Sequence, residues 1–544
     1  MSVTLLPSAH LDSFTRDNLP PADQWPDLRF DLPELRYPNK INCAVELLDK
    51  ALAEGHGARP AILCGDLVWT YADLADRVNR IANVLVRDMG AVPGNRVLLR
   101  APNNPMMLAA WLAVIKAGLV AVSTMPLLRA FELRQIVDKA AITLALCDAC
   151  LRDELLAVQA ERPSLRRIVC FGAADTELET LSAGMPDQFD AVETSQDDVC
   201  LLAFTSGTTG QPKACMHFHR DVMAMCDGFA RHILAPRPDD ILIGTPPIAF
   251  TFGLGAVLAF PLRFRAATAL LDQATPSALV ADIQRHRATM VFTSPTGYRA
   301  MLTQLADYDV SSLRMAVSAG EVLPLPTTDA WFDATGLRIV DGIGATEMMH
   351  IFISAAGSDI RPGATGRAVP GYVATLLDGQ GREIQGPGTG RLAVRGPTGC
   401  RYLADDRQRN YVIDGWNLTG DTYRRDEDGY FWFVARADDM IISSGYNIAA
   451  PEVEQALLAH PAVAECAVIG VPDPERGNMV KAFVVTVPGR PQDAALVREL
   501  QDFVKSRIAP YKYPRAVTFL DRLPKTQTGK IQRFRLREPP LATP

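Results

Sequence analysis

A chain of 544 residues is too long for one hydrophobic core and should divide into at least two domains, one of them large. With 48% apolar and 22% charged residues it has the composition of a soluble globular protein, and its formal net charge of −7 excludes a general nucleic-acid binder, which needs surplus cation to meet a phosphate backbone. Ten cysteines without a regular framework suit a reducing compartment better than a disulfide-stapled secreted domain, so the cytoplasm is the expected location.

Residues 1–40 are proline-rich and polar and read as an arm; Asp12, Arg16 and Asp17 interrupt any apolar core of the length a secretory signal requires. Residues 42–52 carry apolar positions at helical spacing. From Pro60 to about Leu271, short aliphatic runs such as Arg96-Val97-Leu98-Leu99 alternate with helical patterns such as residues 71–87, and residues 289–293 followed by 296–305 repeat the cycle. Such alternation predicts mostly parallel α/β sheets. Cys147-Asp148-Ala149-Cys150 is a CxxC with no second pair nearby to complete a four-ligand zinc site, and reads as two ordinary thiols. Residues 241–262 are uncharged but interrupted by Pro246-Pro247, Gly253, Gly255 and Pro261, which fits a buried strand, turn and helix rather than a membrane span.

Beyond Gly357 closely spaced glycines separate short strands such as residues 391–395, the pattern of a small β-rich subdomain. Near Arg436 the character changes again. Met440-Ile441-Ile442 leads to a turn at Gly445 and a helix opened by Pro451 with acids behind it, then strands at 466–471 and 481–487 and a helix at 493–507. The expected fold class is α/β: a large N-terminal domain of mostly parallel α/β sheets plus a small β-rich subdomain (residues 1–437), and a smaller mobile C-terminal α+β domain (residues 438–544). Residues 505–537 hold ten Lys and Arg against the single acid Asp521, either a solvated basic face or an attraction for phosphates.

One stretch, Thr205-Ser206-Gly207-Thr208-Thr209-Gly210-Gln211-Pro212-Lys213, concentrates hydroxyls, glycines and a terminal cation as no other nine residues do. Gly207 and Gly210 let the backbone approach a bulky anion, while Thr205, Ser206, Thr208 and Thr209 offer donors around it, a composition suited to polyphosphate. The apolar run at 199–204 reads as a buried strand, so the loop leaves a strand end, where α/β folds bind ligands. A Walker-type loop would need Gly-Lys-Ser/Thr, whereas Lys213 follows Pro212 and precedes Ala214.

The stretch closely resembles the phosphate-binding signature of the adenylate-forming superfamily, which includes acyl-CoA synthetases, adenylation domains of peptide synthetases and luciferases. Four further stretches fit that superfamily in its order. In Asp341-Gly342-Ile343-Gly344-Ala345-Thr346-Glu347 the resemblance implies that Thr346 meets phosphate and Glu347 holds Mg²⁺. Ile343 stands where many relatives carry a tyrosine stacked on adenine, so the base would lie on an aliphatic surface. Ser318-Ala319-Gly320-Glu321 resembles the adenine-side turn, and reads equally as a simple tight turn. Trp416-Asn417-Leu418-Thr419-Gly420-Asp421 resembles the ribose motif, Asp421 accepting from both hydroxyls, with Arg436 its companion and Asp438 at the hinge. Pro524-Lys525-Thr526-Gln527-Thr528-Gly529-Lys530 resembles the loop bearing the catalytic lysine, Lys530, and Gly445 would line the pantetheine tunnel.

The implied enzyme is an acid–thiol ligase using ATP, Mg²⁺ and coenzyme A. A carboxylate attacks the α-phosphate of ATP to give an acyl-adenylate and pyrophosphate, then the thiol expels AMP, and the C-terminal domain rotates about Asp438 between the two steps. The acyl pocket would be built from Ala249 and Phe250, the Pro295-Thr296 turn, Gly344 and His350. Phe250, Phe252 and His350 read equally as core residues. Residues 341–352 resemble benzoate-CoA ligases, and the arm segments 14–21 and 32–38 resemble 2-aminobenzoate-CoA ligases within that group. The resemblance therefore implies 2-aminobenzoate (anthranilate) as substrate, with a benzoate-CoA ligase of broad aryl specificity, an aryl-adenylating enzyme loading a carrier protein, and a non-catalytic nucleotide-binding regulator as alternatives. Expected partners are an aryl carboxylic acid, ATP and CoA, with no nucleic acid or membrane, in a monomer or homodimer.

Overall fold

A computed structural model describes residues 5–172, 177–205, 212–271, 273, 275–436, 440–524, 531 and 533–537. The chain separates into two compact units, a large one holding most of the chain up to Ala435, and a smaller one formed by Arg436 onward together with Leu127–Ile136 and a short segment that ends at Lys213. Among the described residues no helix is long and apolar enough to cross a membrane.

Two sheets dominate the large unit. One runs in the spatial order Arg167–Phe171, Leu144–Asp148, Arg96–Arg100, Val120–Thr124, Val199–Thr205, Lys213–Phe218, and its pairings from the first of these to Val199–Thr205 are parallel. Its three strands Leu144–Asp148, Arg96–Arg100 and Val120–Thr124 are buried at every position, as parallel strands covered on both faces must be. Arg100 is tolerated there because its guanidinium donates to the Met125 and Pro126 carbonyls at 3.1 and 2.9 Å.

The second sheet has the order Arg367–Ala368, Ile351–Ser354, Ile339–Gly344, Met315–Ser318, Met290–Thr293, Ile241–Gly244, Ala267–Leu270, Pro60–Cys64, Leu67–Thr70. It is parallel from Ile339–Gly344 to Pro60–Cys64 and antiparallel at both edges. Helices pack between and over these sheets for legible reasons. Tyr71–Asn83 starts in a capping box: Thr70 Oγ1 accepts from the Asp73 N–H at 3.1 Å and Asp73 Oδ2 accepts from the Thr70 N–H at 2.9 Å, while Leu74, Val78 and Ile81 form its buried stripe. Pro105–Lys116 is capped by Asn104 and apolar on almost every side, so it is buried all round.

The β-rich part is a five-stranded sheet of Val373–Leu377, Gly388–Arg395, Trp416–Arg425 and Val412–Ile413, with Phe431–Arg436 paired to Trp416–Arg425. It begins later than the change of composition near Gly357 suggests, since Ile351–Ser354 and Arg367–Ala368 still belong to the nine-stranded sheet. Glycine spacing marks where the chain turns, and carries no information on which sheet the next strand joins.

In the small unit two helices, Ala450–Leu458 and Ala494–Arg507, accompany the sheet of Tyr446–Ala449, Met440–Ser443, Gly477–Thr486, Val463–Asp473 and Ala516–Phe519. Asp493 caps the second helix by accepting from the Ala495 and Leu496 N–H groups at 3.0 and 2.9 Å. Buried within this unit, Lys512 Nζ lies 2.7 Å from Glu132 and 2.6 Å from Glu452.

Candidate active site

The site is assembled where parallel strands of the nine-stranded sheet end together. Gly244 pairs with Phe292, Thr293 with Ser318, and Ser318 with Asp341, so the carboxyl ends of four adjacent strands are in register. The segments leaving those ends carry Ala249 and Phe250, Pro295 and Thr296, Ser318 to Glu321, and Asp341 to Glu347. Four stretches separate in the sequence thus leave adjacent strand ends on one edge of the sheet, the usual ligand position of open α/β sheets.

Local contacts fix their shapes. Gly320 has φ +90°, a conformation that disfavours any side chain, and Glu321 Oε2 accepts from the Thr296 hydroxyl at 2.9 Å, tying this turn back to the start of the helix Pro295–Leu302. A Cβ at Gly344 would stand 2.8 Å from the His350 carbonyl group, so the chain can double back there only as glycine. Burial pushes the Asp341 carboxyl up to about 7, the Gly342 backbone opposing it. Ile343 is partly buried and packs on the core.

Thr346 and Glu347 sit in the short turn Thr346–Met348. The turn is too brief for a helix-dipole role for Glu347, and two side chains from elsewhere grip it. His217 Nε2–H donates to the Thr346 carbonyl at 2.9 Å, and the Tyr402 hydroxyl donates to Glu347 Oε1 at 2.5 Å. Behind them His217 Nδ1 lies 3.7 Å from Asp221, which forms a wholly buried ion pair with Arg401. Burial alone would raise the Asp221 carboxyl, yet Arg401 and His217 hold it below its usual range. Burial, then the Glu347 charge, keep Tyr402 a donor by raising its pKa well above the ordinary value.

Asp421 is buried on the strand Trp416–Arg425, its N–H donating to Thr419 Oγ1 at 3.2 Å. The Tyr411 ring packs edge-on against Tyr402 with centroids 5.8 Å apart, and its hydroxyl pKa is raised by burial and by both the Glu347 and Asp421 charges. The two carboxylates therefore share one neighbourhood.

His350 is enclosed by the rings of Phe260, Phe229 and Phe252 at 4.8, 5.1 and 5.7 Å. Burial pushes its pKa down to about 3, the Phe252 backbone opposing it, so the ring is neutral, and no other residue among those described offers its nitrogens a hydrogen bond. A Cβ at Gly255 would stand 2.6 Å from its Nε2, so glycine there leaves that edge of the ring uncrowded. Phe250, the residue singled out from the sequence, is partly exposed at the start of Thr251–Leu254, whereas Phe252 reaches His350.

Gly445 lies in the small unit, in a two-residue hairpin turn with Ser444 where both φ values are positive, +81° and +49°. Lys213 opens the strand Lys213–Phe218, and Thr205 closes Val199–Thr205. Ser206, Gly207, Thr208, Thr209, Gly210, Asp438 and Lys530 lie outside the described residues, and Arg436 is described only by its backbone at the end of Phe431–Arg436.

Sequence reasoning did not find His217, Tyr402, Tyr411, Phe229 or Phe260. The phenylalanines sit in apolar helical runs and look like any core residue; the tyrosines belong to no motif with a chemical signature of its own. A second cluster also escaped it: Cys43, Cys200 and His219, all buried, have ligand atoms within 4.8 Å of one another. The Cys43 N–H donates to His219 Nδ1 at 3.1 Å, which occupies the lone pair a metal would need, so these side chains act as a hydrogen-bonded core element.

Comparison with known proteins shows the family. A family model described as AMP-binding enzyme matches residues 49–402, and one described as AMP-binding enzyme C-terminal domain matches residues 452–530. The chain is 35% identical over 512 residues to a benzoate–CoA ligase of Thauera aromatica, covering 93% of this chain and 97% of that protein. Among solved structures, the anthranilate CoA ligase AuaEII in complex with anthranoyl-AMP aligns with a TM-score of 0.73 at 33% identity, covering 93% of this chain and 98% of that one. A benzoate CoA ligase from Burkholderia xenovorans LB400 aligns with a TM-score of 0.69 at 31% identity, covering 92% and 100%. Family models that together span most of the chain and a relative 35% identical over 93% of it lead to one conclusion: the chain belongs to the AMP-binding enzyme family.

Proposed function

We propose that this protein is an ATP-dependent aryl-acid CoA ligase whose preferred acid is 2-aminobenzoate. The observation that carries the reading is His350: a neutral, buried imidazole among three phenylalanine rings, with the Phe252 backbone as its one polar neighbour among the described residues. A buried polar edge among apolar rings is costly unless a ligand satisfies it. The ring of an aromatic acid suits these phenylalanine neighbours, and its ortho amino group can donate to one imidazole nitrogen while the carboxylate stays free to react.

In the first half-reaction a carboxylate oxygen of the acid forms a bond to the α-phosphorus of ATP and pyrophosphate leaves. In the second the CoA thiol adds to the carbonyl carbon and AMP leaves with the electron pair of the broken bond. No enzyme group need become covalently attached, so the chain contributes positioning and charge. Glu347, buried beside Thr346, fits a divalent cation: magnesium bound there supplies positive charge against the phosphates. Thr346 and the Thr205–Lys213 loop hold phosphate oxygens, Asp421 accepts from the ribose hydroxyls, and the 318–321 turn with Asp341 and Ile343 borders the base. Arg436 accompanies the ribose, Gly445 leaves room for pantetheine, Asp438 is the hinge, and Lys530 balances charge between the attacking carboxylate and the α-phosphate.

The test is a pyrophosphate-release and thioester panel with free CoA over 2-aminobenzoate, benzoate and the hydroxybenzoates. The highest kcat/KM is expected for 2-aminobenzoate, with benzoate within about 10²-fold, since an apolar pocket discriminates weakly against a missing or added polar group. A higher value for benzoate moves the protein to a broad benzoate ligase. Saturation only by a carrier-protein pantetheine, and not by CoA, replaces the thiol acceptor.

A further inference from the structure

We propose that Tyr402 is a positioning residue for adenylation, setting the direction in which the Glu347 carboxylate meets the cation. This inference rests on the reading of Glu347 as the magnesium ligand. The Tyr402 hydroxyl donates to Glu347 Oε1 at 2.5 Å, both side chains being buried. A charge-assisted bond to one oxygen fixes the carboxylate's plane and rotation, which a short turn such as Thr346–Met348 cannot do from its backbone. Mutational supports of this kind act on metal affinity through the ligand they orient.

The arm that carries Tyr402 is itself immobilised. The Tyr402 N–H donates to Gln408 Oε1 at 2.9 Å, and the Cys400 N–H donates to Asn417 Oδ1 at 2.8 Å. Next to it Arg401 anchors the same arm through Asp221. His217, on the strand paired with this arm, holds the Thr346 carbonyl at 2.9 Å, so the Thr346-Glu347 dipeptide is gripped at backbone and side chain from one direction. A phenol serving only to fill space needs no such framework for its hydroxyl.

The test uses the intact enzyme and measures the magnesium concentration for half-maximal acid-dependent pyrophosphate release in wild type, Tyr402→Phe, Glu347→Gln and the double variant, with melting temperature alongside. Tyr402→Phe is expected to raise the magnesium requirement about 10-fold with the KM for the acid unchanged, because a hydrogen bond to a charged group is lost. In the Glu347→Gln background the same change should add nothing, since the tyrosine acts through that carboxylate. Tyr411→Phe removes a neighbouring buried hydroxyl that makes no hydrogen bond among the described residues and should leave the magnesium requirement alone. An unchanged requirement in Tyr402→Phe, or equal effects with and without Glu347, overturns the proposal. If Glu347→Gln itself leaves the requirement unchanged, the assignment of Glu347 fails first and the proposal with it. Should Tyr402→Phe melt early, 3-fluorotyrosine at position 402 in otherwise wild-type protein decides: its ¹⁹F resonance should move with ATP plus magnesium and not with ATP plus chelator, and an equal movement in both overturns it.

Discussion

At the scale of single residues, the structure distinguishes carboxylates that the sequence presents as alike. Asp221 is fully buried yet held below its usual range by Arg401 and His217, whereas Asp341 has only backbone help and is pushed up to about 7. The sign for Asp341 follows from linkage. Its folded-state pKa lies above the unfolded value of 3.8, so the folded protein binds that proton more tightly, and stability falls as pH rises from about 4 to about 7. Asp341→Asn, which cannot ionise, should therefore stabilise the protein more at pH 8 than at pH 5, by about 1–3 kcal/mol at the higher pH after allowing for its partial exposure. Denaturant unfolding at the two pH values measures this, and a gain that is the same at both would contradict it. His350 is the converse case. Burial lowers its pKa to about 3, so it should contribute no ionisation to a pH profile in the neutral range.

At the scale of elements, most of the large unit was legible because its signals are local. Alternating apolar runs and helical stripes predict parallel strands and covering helices, and the observed sheets follow, as at Met290–Thr293 and Pro295–Leu302. The run at 241–262 is a strand, a turn and helical segments, as its prolines and glycines indicate. What the sequence could not show is adjacency. The grip of Tyr402 on Glu347 and of His217 on Thr346 joins residues 55 and 129 apart, through strand pairing that no motif spacing encodes. The same limit hid the cluster at Lys512. There one lysine bridges Glu132 and Glu452, and burial raises Glu452 to about 7 despite Lys512 beside it. Lys512→Met would leave two buried carboxylates facing one another. A loss of about 3–5 kcal/mol is expected, read as faster amide exchange in the helix Ala494–Arg507; protection within a factor of three of wild type would show that the cluster contributes little.

At the scale of the whole molecule, the chain forms two units with separate cores. The large unit holds Glu347, Asp421 and His350, whose proposed roles were legible only through resemblance: each alone is an ordinary buried polar residue, and only five motifs in one order point to a nucleotide and an acid. The proposed substrate was least legible, because the reading rests on the rings around His350, and Phe229 and Phe260 look like core in any helical run. The most direct test of the central claim is to mix purified protein with magnesium, ATP and 2-aminobenzoate, without CoA, and to assay the quenched mixture by mass spectrometry for the mixed anhydride of the acid and AMP. The account predicts 2-aminobenzoyl-AMP together with equimolar pyrophosphate, forming only when the acid is present. Intact ATP, or ATP broken down equally well without any acid, would contradict it.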